Sequence, residues 1–596
     1  MDKIGEIDII LKESPSTTQG HALYLGFKQE TELLTKGSIL KDGALALPCD
    51  ILWEKDVELR LRDGTTIYTD VFRPPNGGKI IPAIISSAGF GKQGGLNRMG
   101  TDRAPWRNGI PQKTVSSLEK FEALDPAYWC LHGYALVHPD TRGTWMSEGD
   151  VYINSTLDGK DGYDIVEWIA EQPWSNKRVT MAGNSYLAQT QWWVGAESPP
   201  HLTCLAPWEG WNDLYNDTVQ RGGIPDAEFQ QNLLDNCFVG LGRTEDVSAM
   251  TAKYPTWNDY WEDRRAKVEN IKIPLYVVAS WTNMLHTRGT FRGWSESSSP
   301  KKWLRVHNSH EWPDLYYPQN VEDLRKFYDH FMKDKSNGWE FTPKVRLSIL
   351  NPGNQDIVNR PELEFPLTRQ QSIPLYLNAS TSCLEWGNKP TNPDTVNLDS
   401  RKDIAKFTYT FPCKAELTGY FKLKLWVQAI GNDDIDLFTK FSKLDANGGL
   451  VETECVDVGY LQDNPEVAKE KLREMHAAGD PRVNVFFSEG AHGRLRVSHR
   501  ELDIERSTPH QPHYTHRNIQ TLKSEGEIVP VEIEMWPHGM IWERGEKMQL
   551  SVAGFNLRPE LLPWVDAPKT LNNGRILIHA GGEYDSLLLV PFIPQG

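Results

Sequence analysis

The chain has 596 residues, 39% of them hydrophobic and 24% charged, which is ordinary globular composition with length for three or four folding units. Its net charge of −16, from 80 acidic against 64 basic side chains with no basic cluster, opposes a phosphate backbone and argues against nucleic acid as a partner. No run of eighteen apolar residues is present, so no membrane-spanning helix is expected.

Met1-Asp2-Lys3-Ile4-Gly5-Glu6 lacks the basic start and apolar stretch of a secretory signal, and a cytoplasmic location is the expectation. Seven cysteines (Cys49, Cys130, Cys204, Cys237, Cys383, Cys413 and Cys455) are scattered and never form a CxxC pair. That spacing fits free thiols in a reducing compartment, with no metal site and no cofactor expected.

Residues 1–50 are polar and weakly periodic, and read as an extension wrapped over a larger body. From Ile51 the texture changes. Val57-Glu58-Leu59-Arg60-Leu61 and Thr66-Ile67-Tyr68-Thr69-Asp70-Val71 alternate as strands about an Asp63-Gly64 turn. Ile80-Ile81-Pro82-Ala83-Ile84-Ile85 is a continuous apolar run, as in a strand buried on both faces of a parallel sheet.

Strands and helices then alternate: a strand at 134–137, a helix over 161–171 with Ile165, Val166 and Ile169 on one face, a strand at 178–182, a helix after Ser185, and strands at 274–279 and 303–306. This pattern predicts a mostly parallel α/β core over 51–215 and 270–365. Residues 216–269, helical and rich in Asn, Asp and Trp, interrupt the core as a cap. From 366 to 596 short alternating strands, such as Phe407-Thr408-Tyr409-Thr410-Phe411, predict a β-sandwich, interrupted by one helix that starts at Asn464-Pro465.

The sharpest local signal is Val179-Thr180-Met181-Ala182-Gly183-Asn184-Ser185-Tyr186-Leu187. A strand runs through Gly-x-Ser into a helix, the elbow that exposes a serine oxygen at the strand's carboxyl end beside a helix N-terminus. Leu187 stands where Gly-x-Ser-x-Gly has its last glycine. Ser185 is the candidate nucleophile. Its base should follow in the order Ser, acid, His, and His310, in the polar loop after the strand at 303–306, is the best-placed histidine. The loop Ser280-Trp281-Thr282-Asn283, where the acid belongs, holds no carboxylate, and Asn283 occupies the slot. Glu209, Asp213 and Glu311 are the carboxylates that could substitute.

At this point the chain resembles the group containing cocaine esterase, X-prolyl dipeptidyl-peptidase and α-amino acid ester hydrolase, with a fungal-looking character. The resemblance runs from about Leu52 to Pro594. It rests on Arg62-Asp63-Gly64-Thr65, Gly133-Tyr134-Ala135 leading to Asp140-Thr141-Arg142-Gly143-Thr144, Ser147-Glu148-Gly149, Trp168 with Gln172-Pro173-Trp174, and the Ser185 elbow. Gly493-Arg494-Leu495-Arg496-Val497-Ser498-His499-Arg500 and Glu543-Arg544-Gly545-Glu546 resemble the group's jelly-roll signatures.

The resemblance implies an α/β-hydrolase core with a helical cap and a C-terminal jelly roll enclosing the site. It implies that Ser185 attacks an ester or amide carbonyl, that His310 shuttles the proton, and that the Tyr186 N–H is one oxyanion donor. Three positions depart from the pattern. Asn283 stands for an aspartate, Phe90 for a tyrosine whose hydroxyl is the second oxyanion donor, and Trp145 for a glycine. Losing one oxyanion donor costs about 10²–10³ in rate, and an Asp-to-Asn change in a triad about 10⁴.

Trp192, Trp193, Trp208, Trp211 and Trp281 fall near the expected mouth; with Trp145, the last three are the candidate pocket residues for a bulky apolar substrate. The expected activity is hydrolysis of a small ester or amide through an acyl-enzyme. Acyl transfer or cyclisation on the same scaffold is the alternative, and a non-catalytic scaffold comes third. The oligomeric state is open, a homo-oligomer included.

Overall fold

The computed structural model describes residues 2–18, 26–75, 77–92, 105–456, 465–522, 526–558 and 565–594. The apolar runs form the middle of a sheet. Ile81–Ile85, Ala135–Pro139 and Leu275–Ser280 are buried at every position, as strands covered on both faces must be. From one edge the strand order is Ile357–Glu362, Val345–Ile349, Lys302–His307, Leu275–Ser280, Leu202–Trp208, Ser175–Asn184, Ile81–Ile85, Ala135–Pro139, Thr66–Arg73, Ile51–Arg60 and Glu30–Leu34. Pairing is parallel from Val345–Ile349 through Ala135–Pro139 and antiparallel outside it.

Helices Thr156–Ala170 and Tyr186–Glu197 cover one face, with Ile165, Val166, Ile169 and Trp192 in its core. Pro318–Lys333 covers the other, placing Leu324, Phe327, Tyr328 and Met332 against Leu136 and Val278. The first of these helices starts five residues before the expected 161. Ser155 and Asp158 form a reciprocal capping box there, a polar signal that apolar periodicity does not register.

Part of the N-terminal extension is itself structured. Glu30–Leu34 adds an edge strand to Ile51–Arg60, and Leu11–Glu13 pairs with Arg243–Glu245 in the insertion after the strand ending at Trp208. That insertion carries helices Glu228–Cys237, Val247–Lys253 and Asp259–Asp263.

From Gln371 the chain is mainly β. One sheet closes into a barrel-like form because Leu587–Ile593 pairs with both Gln371–Asn378 and Ala415–Ile430. Its core is Leu- and Val-rich and separate from that of the α/β part. Helix Pro465–Ala477 interrupts it near the expected place, while Asn464 lies outside the described residues. The two parts are stitched by backbone bonds between Leu350 and both Gly539 and Ile541, at 3.0 and 2.8 Å. Among the described residues no helix is long and apolar enough to cross a membrane.

Candidate active site

Strand Ser175–Asn184 turns into helix Tyr186–Glu197 through Ser185, whose φ of 56° and ψ of −124° lie outside the ordinary wells. Such a conformation costs about 1–3 kcal/mol and persists only where its surroundings impose it. Here they do. The Ser185 N–H donates to the Glu209 carbonyl at 2.9 Å, and the Ser185 carbonyl accepts from Ala188 at 2.9 Å. Gly183 has φ 126°, and a Cβ there would stand 2.6 Å from the Leu187 Cβ and 2.8 Å from the Glu122 carbonyl oxygen, so only glycine fits. Ser185 stays half-buried while its neighbours are buried.

The ring beside Ser185 belongs to His286, whose Nε2 is 3.1 Å from the serine Oγ. His286 sits between strand Leu275–Ser280 and helix Thr287–Glu296. Asn283 folds the loop there, its Oδ1 accepting the N–H groups of Leu285 at 2.9 Å and His286 at 3.0 Å. Burial, followed by the adjacent His310, holds the His286 pKa down to about 3. The ring is therefore neutral at physiological pH and able to accept a proton. Its Nδ1 has no hydrogen-bond partner among the described residues.

The structure brings His286, rather than the expected His310, into contact with Ser185, and leaves His310 next to His286. His310 caps helix Glu311–Tyr316, its Nδ1 accepting the Trp312 N–H at 3.4 Å and its ring lying 4.5 Å from the Trp312 ring. Asn283 spends its side-chain oxygen on the backbone of its own loop, and its side chain faces the Glu311 carboxyl.

Three carboxylates surround the pair. Glu311 Oε2 is 3.8 Å from His286 Nε2, and burial plus the charges of Glu209 and Glu122 raise its pKa. Glu209 bonds the His307 ring and accepts the Ser280 hydroxyl at 2.8 Å. Glu122, only 3% exposed, accepts the Trp312 indole N–H at 3.0 Å on one oxygen. The Ser185 hydroxyl and Tyr186 N–H face this carboxyl, yet its other oxygen has no full hydrogen bond among the described residues. Burial pushes the Glu122 pKa up to about 8. Asp213, the remaining candidate acid, bonds Asn216 instead.

Tyr186 opens the helix at Ser185, where a backbone N–H has no partner within the helix. Phe90 is buried in an aromatic cluster with Phe121, Tyr186 and Phe238, at centroid distances of 5.6, 5.9 and 5.6 Å. The Trp145 indole packs over Gly91 and against Val239 of the insertion. Trp208 and Trp211 do not take the expected pocket positions. Trp208 lies in the core against Tyr276 at 5.6 Å, beneath the Arg305 guanidinium, and Trp211 is fully buried beside Trp193. Trp281 stacks on Phe291 at 5.1 Å and, with Asn283, edges a cavity shared with Trp536 of the β domain.

A larger cavity of about 80 Å³ opens between insertion, α/β core and β domain, with Met284 and Leu285 in its wall. Four arginines line it, Arg221, Arg288, Arg494 and Arg558, against the carboxylates Asp226 and Glu534.

His286 and Glu122 escape a reading of the sequence. The one local sign for His286 is an asparagine three residues before a histidine at a helix start. Glu122 stands in Glu119-Lys120-Phe121-Glu122, a charged run that reads as solvated although all four side chains are at least partly buried.

Residues 63–236 match the X-Pro dipeptidyl-peptidase (S15 family) domain, and 337–589 the X-Pro dipeptidyl-peptidase C-terminal non-catalytic domain. Cocaine esterase of Rhodococcus sp. (strain MB1 Bresler) is 30% identical over 27% of this chain and 24% of its own length. A putative serine esterase of Mycobacterium bovis is 30% identical over 28% of this chain and 26% of its own. The matched part thus spans about a quarter of these curated relatives. An α-amino acid ester hydrolase, 14% identical, shares the fold with TM-score 0.63 over 91% of this chain and 96% of its own. A solved CocE/NonD family hydrolase from Staphylococcus aureus is 33% identical, with TM-score 0.82, over 95% of this chain and 97% of its own. An α/β-hydrolase core, a strained serine elbow with a histidine on its oxygen, and an all-β C-terminal domain accompany that full-length match: the chain belongs to the CocE/NonD family of hydrolases.

Proposed function

We propose that this protein is a serine hydrolase that cleaves a small ester or amide through an acyl-enzyme on Ser185, with His286 as the base. The observation that carries the reading is the 3.1 Å contact between His286 Nε2 and Ser185 Oγ on a strained elbow. Ser185 Oγ attacks the carbonyl carbon, its proton passes to His286 Nε2, and the negative oxygen forms at the Tyr186 N–H. Collapse of the intermediate expels the leaving group, which takes the proton from His286. Water, activated by the same ring, then releases the acid.

The cleft beside Met284 supports a bulky apolar substrate. Its arginines are paired with Asp226, Asp217, Glu534 and His492, and they adjoin Phe229, Phe438, Tyr514 and Trp536, a wall suited to an apolar or aromatic body.

A second reading, transfer of the acyl group to a bound acceptor, is favoured by the unpartnered His286 Nδ1. A base without a carboxylate to stabilise its imidazolium activates water poorly.

A serine-directed fluorophosphonate and a panel of aryl esters test these readings on the full chain. Covalent labelling of Ser185 with turnover supports hydrolysis. Labelling with product formed only when an amine or alcohol acceptor is added supports transfer. Absence of labelling overturns both.

A further inference from the structure

Resting on the reading of Ser185 as nucleophile, we propose that Glu122 acts in its neutral acid form as the second oxyanion donor, standing where Phe90 supplies no hydroxyl. Three observations place it. Its carboxyl faces both the Ser185 hydroxyl and the Tyr186 N–H, which are the two groups that flank a developing oxyanion. One oxygen is held by the Trp312 indole at 3.0 Å, and the other, fully buried, meets the Ser185 hydroxyl and Tyr186 N–H without a full hydrogen bond among the described residues. The backbone that presents it is itself strained, with φ 63° at Glu122, and its carbonyl accepts the Asn184 N–H at 3.2 Å, so the residue is fixed to the elbow.

A buried carboxyl oxygen that is under-satisfied beside a nucleophile is costly, and the cost falls when that oxygen gains a full partner during the reaction. A substrate carbonyl entering beside Tyr186 supplies it. The acid O–H donates to the oxygen as negative charge grows there, and no proton need leave the carboxyl. An apolar site can keep a carboxylic acid neutral for this purpose at physiological pH.

Burial favours protonation and outweighs the hydrogen-bond donors Trp312, Ser185 and Tyr186, which favour the anion. Among the described residues, the titratable groups that face Glu122 are Glu311 and Tyr316 from helix Glu311–Tyr316 and Cys237 from the insertion, none of them a cation. Lys120, two residues earlier, donates to the Ser86 carbonyl and is held down to about 7 by burial, on the side of Asp140 and Lys92. Above about pH 8 the acid loses its proton, and the resulting anion both stops donating and repels the oxyanion.

The test is steady-state hydrolysis of an aryl ester by the full chain from pH 5 to 10, with fluorophosphonate labelling alongside. Wild type should lose kcat as pH rises through about 8. Glu122→Gln, whose amide still donates but cannot ionise, should keep kcat within about tenfold and lose that alkaline limb. Glu122→Ala should lose about 10²–10³ in kcat with little change in KM, while Ser185 still labels. An alkaline limb that persists in Glu122→Gln overturns the proposal whether or not the alanine variant folds, as does a folded alanine variant with wild-type kcat. Loss of Ser185 labelling in wild type would instead overturn the nucleophile assignment.

Discussion

The Glu534 carboxylate of the β domain accepts a 2.8 Å hydrogen bond from Arg288, two residues beyond the histidine that touches Ser185. Arg292, one turn further along the same helix, donates to its other oxygen at 2.8 Å. The helix that carries His286 is thereby pinned from the neighbouring domain.

The pin is pH-dependent. Arg288 and Arg292 hold the Glu534 pKa down to about 2 against the effect of burial, whereas an unfolded glutamate titrates near ~4.3. A depressed carboxylate stabilises the fold above its unfolded pKa, and that contribution, on the order of 3 kcal/mol, is lost as pH falls from about 5 toward 2. Glu534→Gln should flatten this part of the stability curve in urea titrations. It should also lower kcat by misplacing His286.

His286→Ala should reduce turnover by about 10⁶-fold, the order of loss on removing the base of a serine nucleophile. His310→Phe keeps an aromatic ring on Trp312 and should cost under about tenfold. Because His286 titrates near 3, the rate should show no acidic limb near the usual histidine pKa. Comparable losses in both variants would return the base to His310.

Asn283→Asp should not raise ester hydrolysis, since the side-chain oxygen at this position bonds the Leu285 and His286 backbone. Asn283→Ala removes both bonds and should lower kcat at least tenfold, with a stability loss of about 1 kcal/mol, as for a lost helix cap. Rate measurements on the two variants, with circular dichroism for folding, decide between a turn-forming and a triad role.

Gly183→Ala should abolish labelling of Ser185 and cost about 1–3 kcal/mol, because the added methyl group meets Leu187 in a backbone conformation alanine resists. Thermal unfolding and phosphonate labelling measure the two effects separately.

The parallel core was legible because burial on both faces demands unbroken apolar runs, such as Ile81–Ile85 and Leu275–Ser280. The elbow was legible because its strain needs Gly183 before Ser185. The partner of Ser185 was not. Chain order and a polar loop pointed to His310, but a helix cap and an asparagine turn, each a matter of one or two hydrogen bonds, decide which ring faces the serine. Glu122 was hidden for a different reason: nothing local distinguishes a charged residue held under the elbow from one in solvent. Trp208 and Trp211 show the same gap from the apolar side, since spacing alone cannot separate an aromatic that packs beneath the sheet from one that edges a cavity.

Leu11–Glu13 finds its only described strand partner in Arg243–Glu245, roughly 230 residues later. At synthesis rates of about 5–20 residues per second, the emerging chain waits roughly 10–50 s before that pairing can form. Closing so long a loop comes late in folding, because its entropy must be met before the contact gives any return. The leading segment is therefore a latch closed by a single long-range pairing, and in native-state hydrogen exchange its amides should open well before those of the central strands.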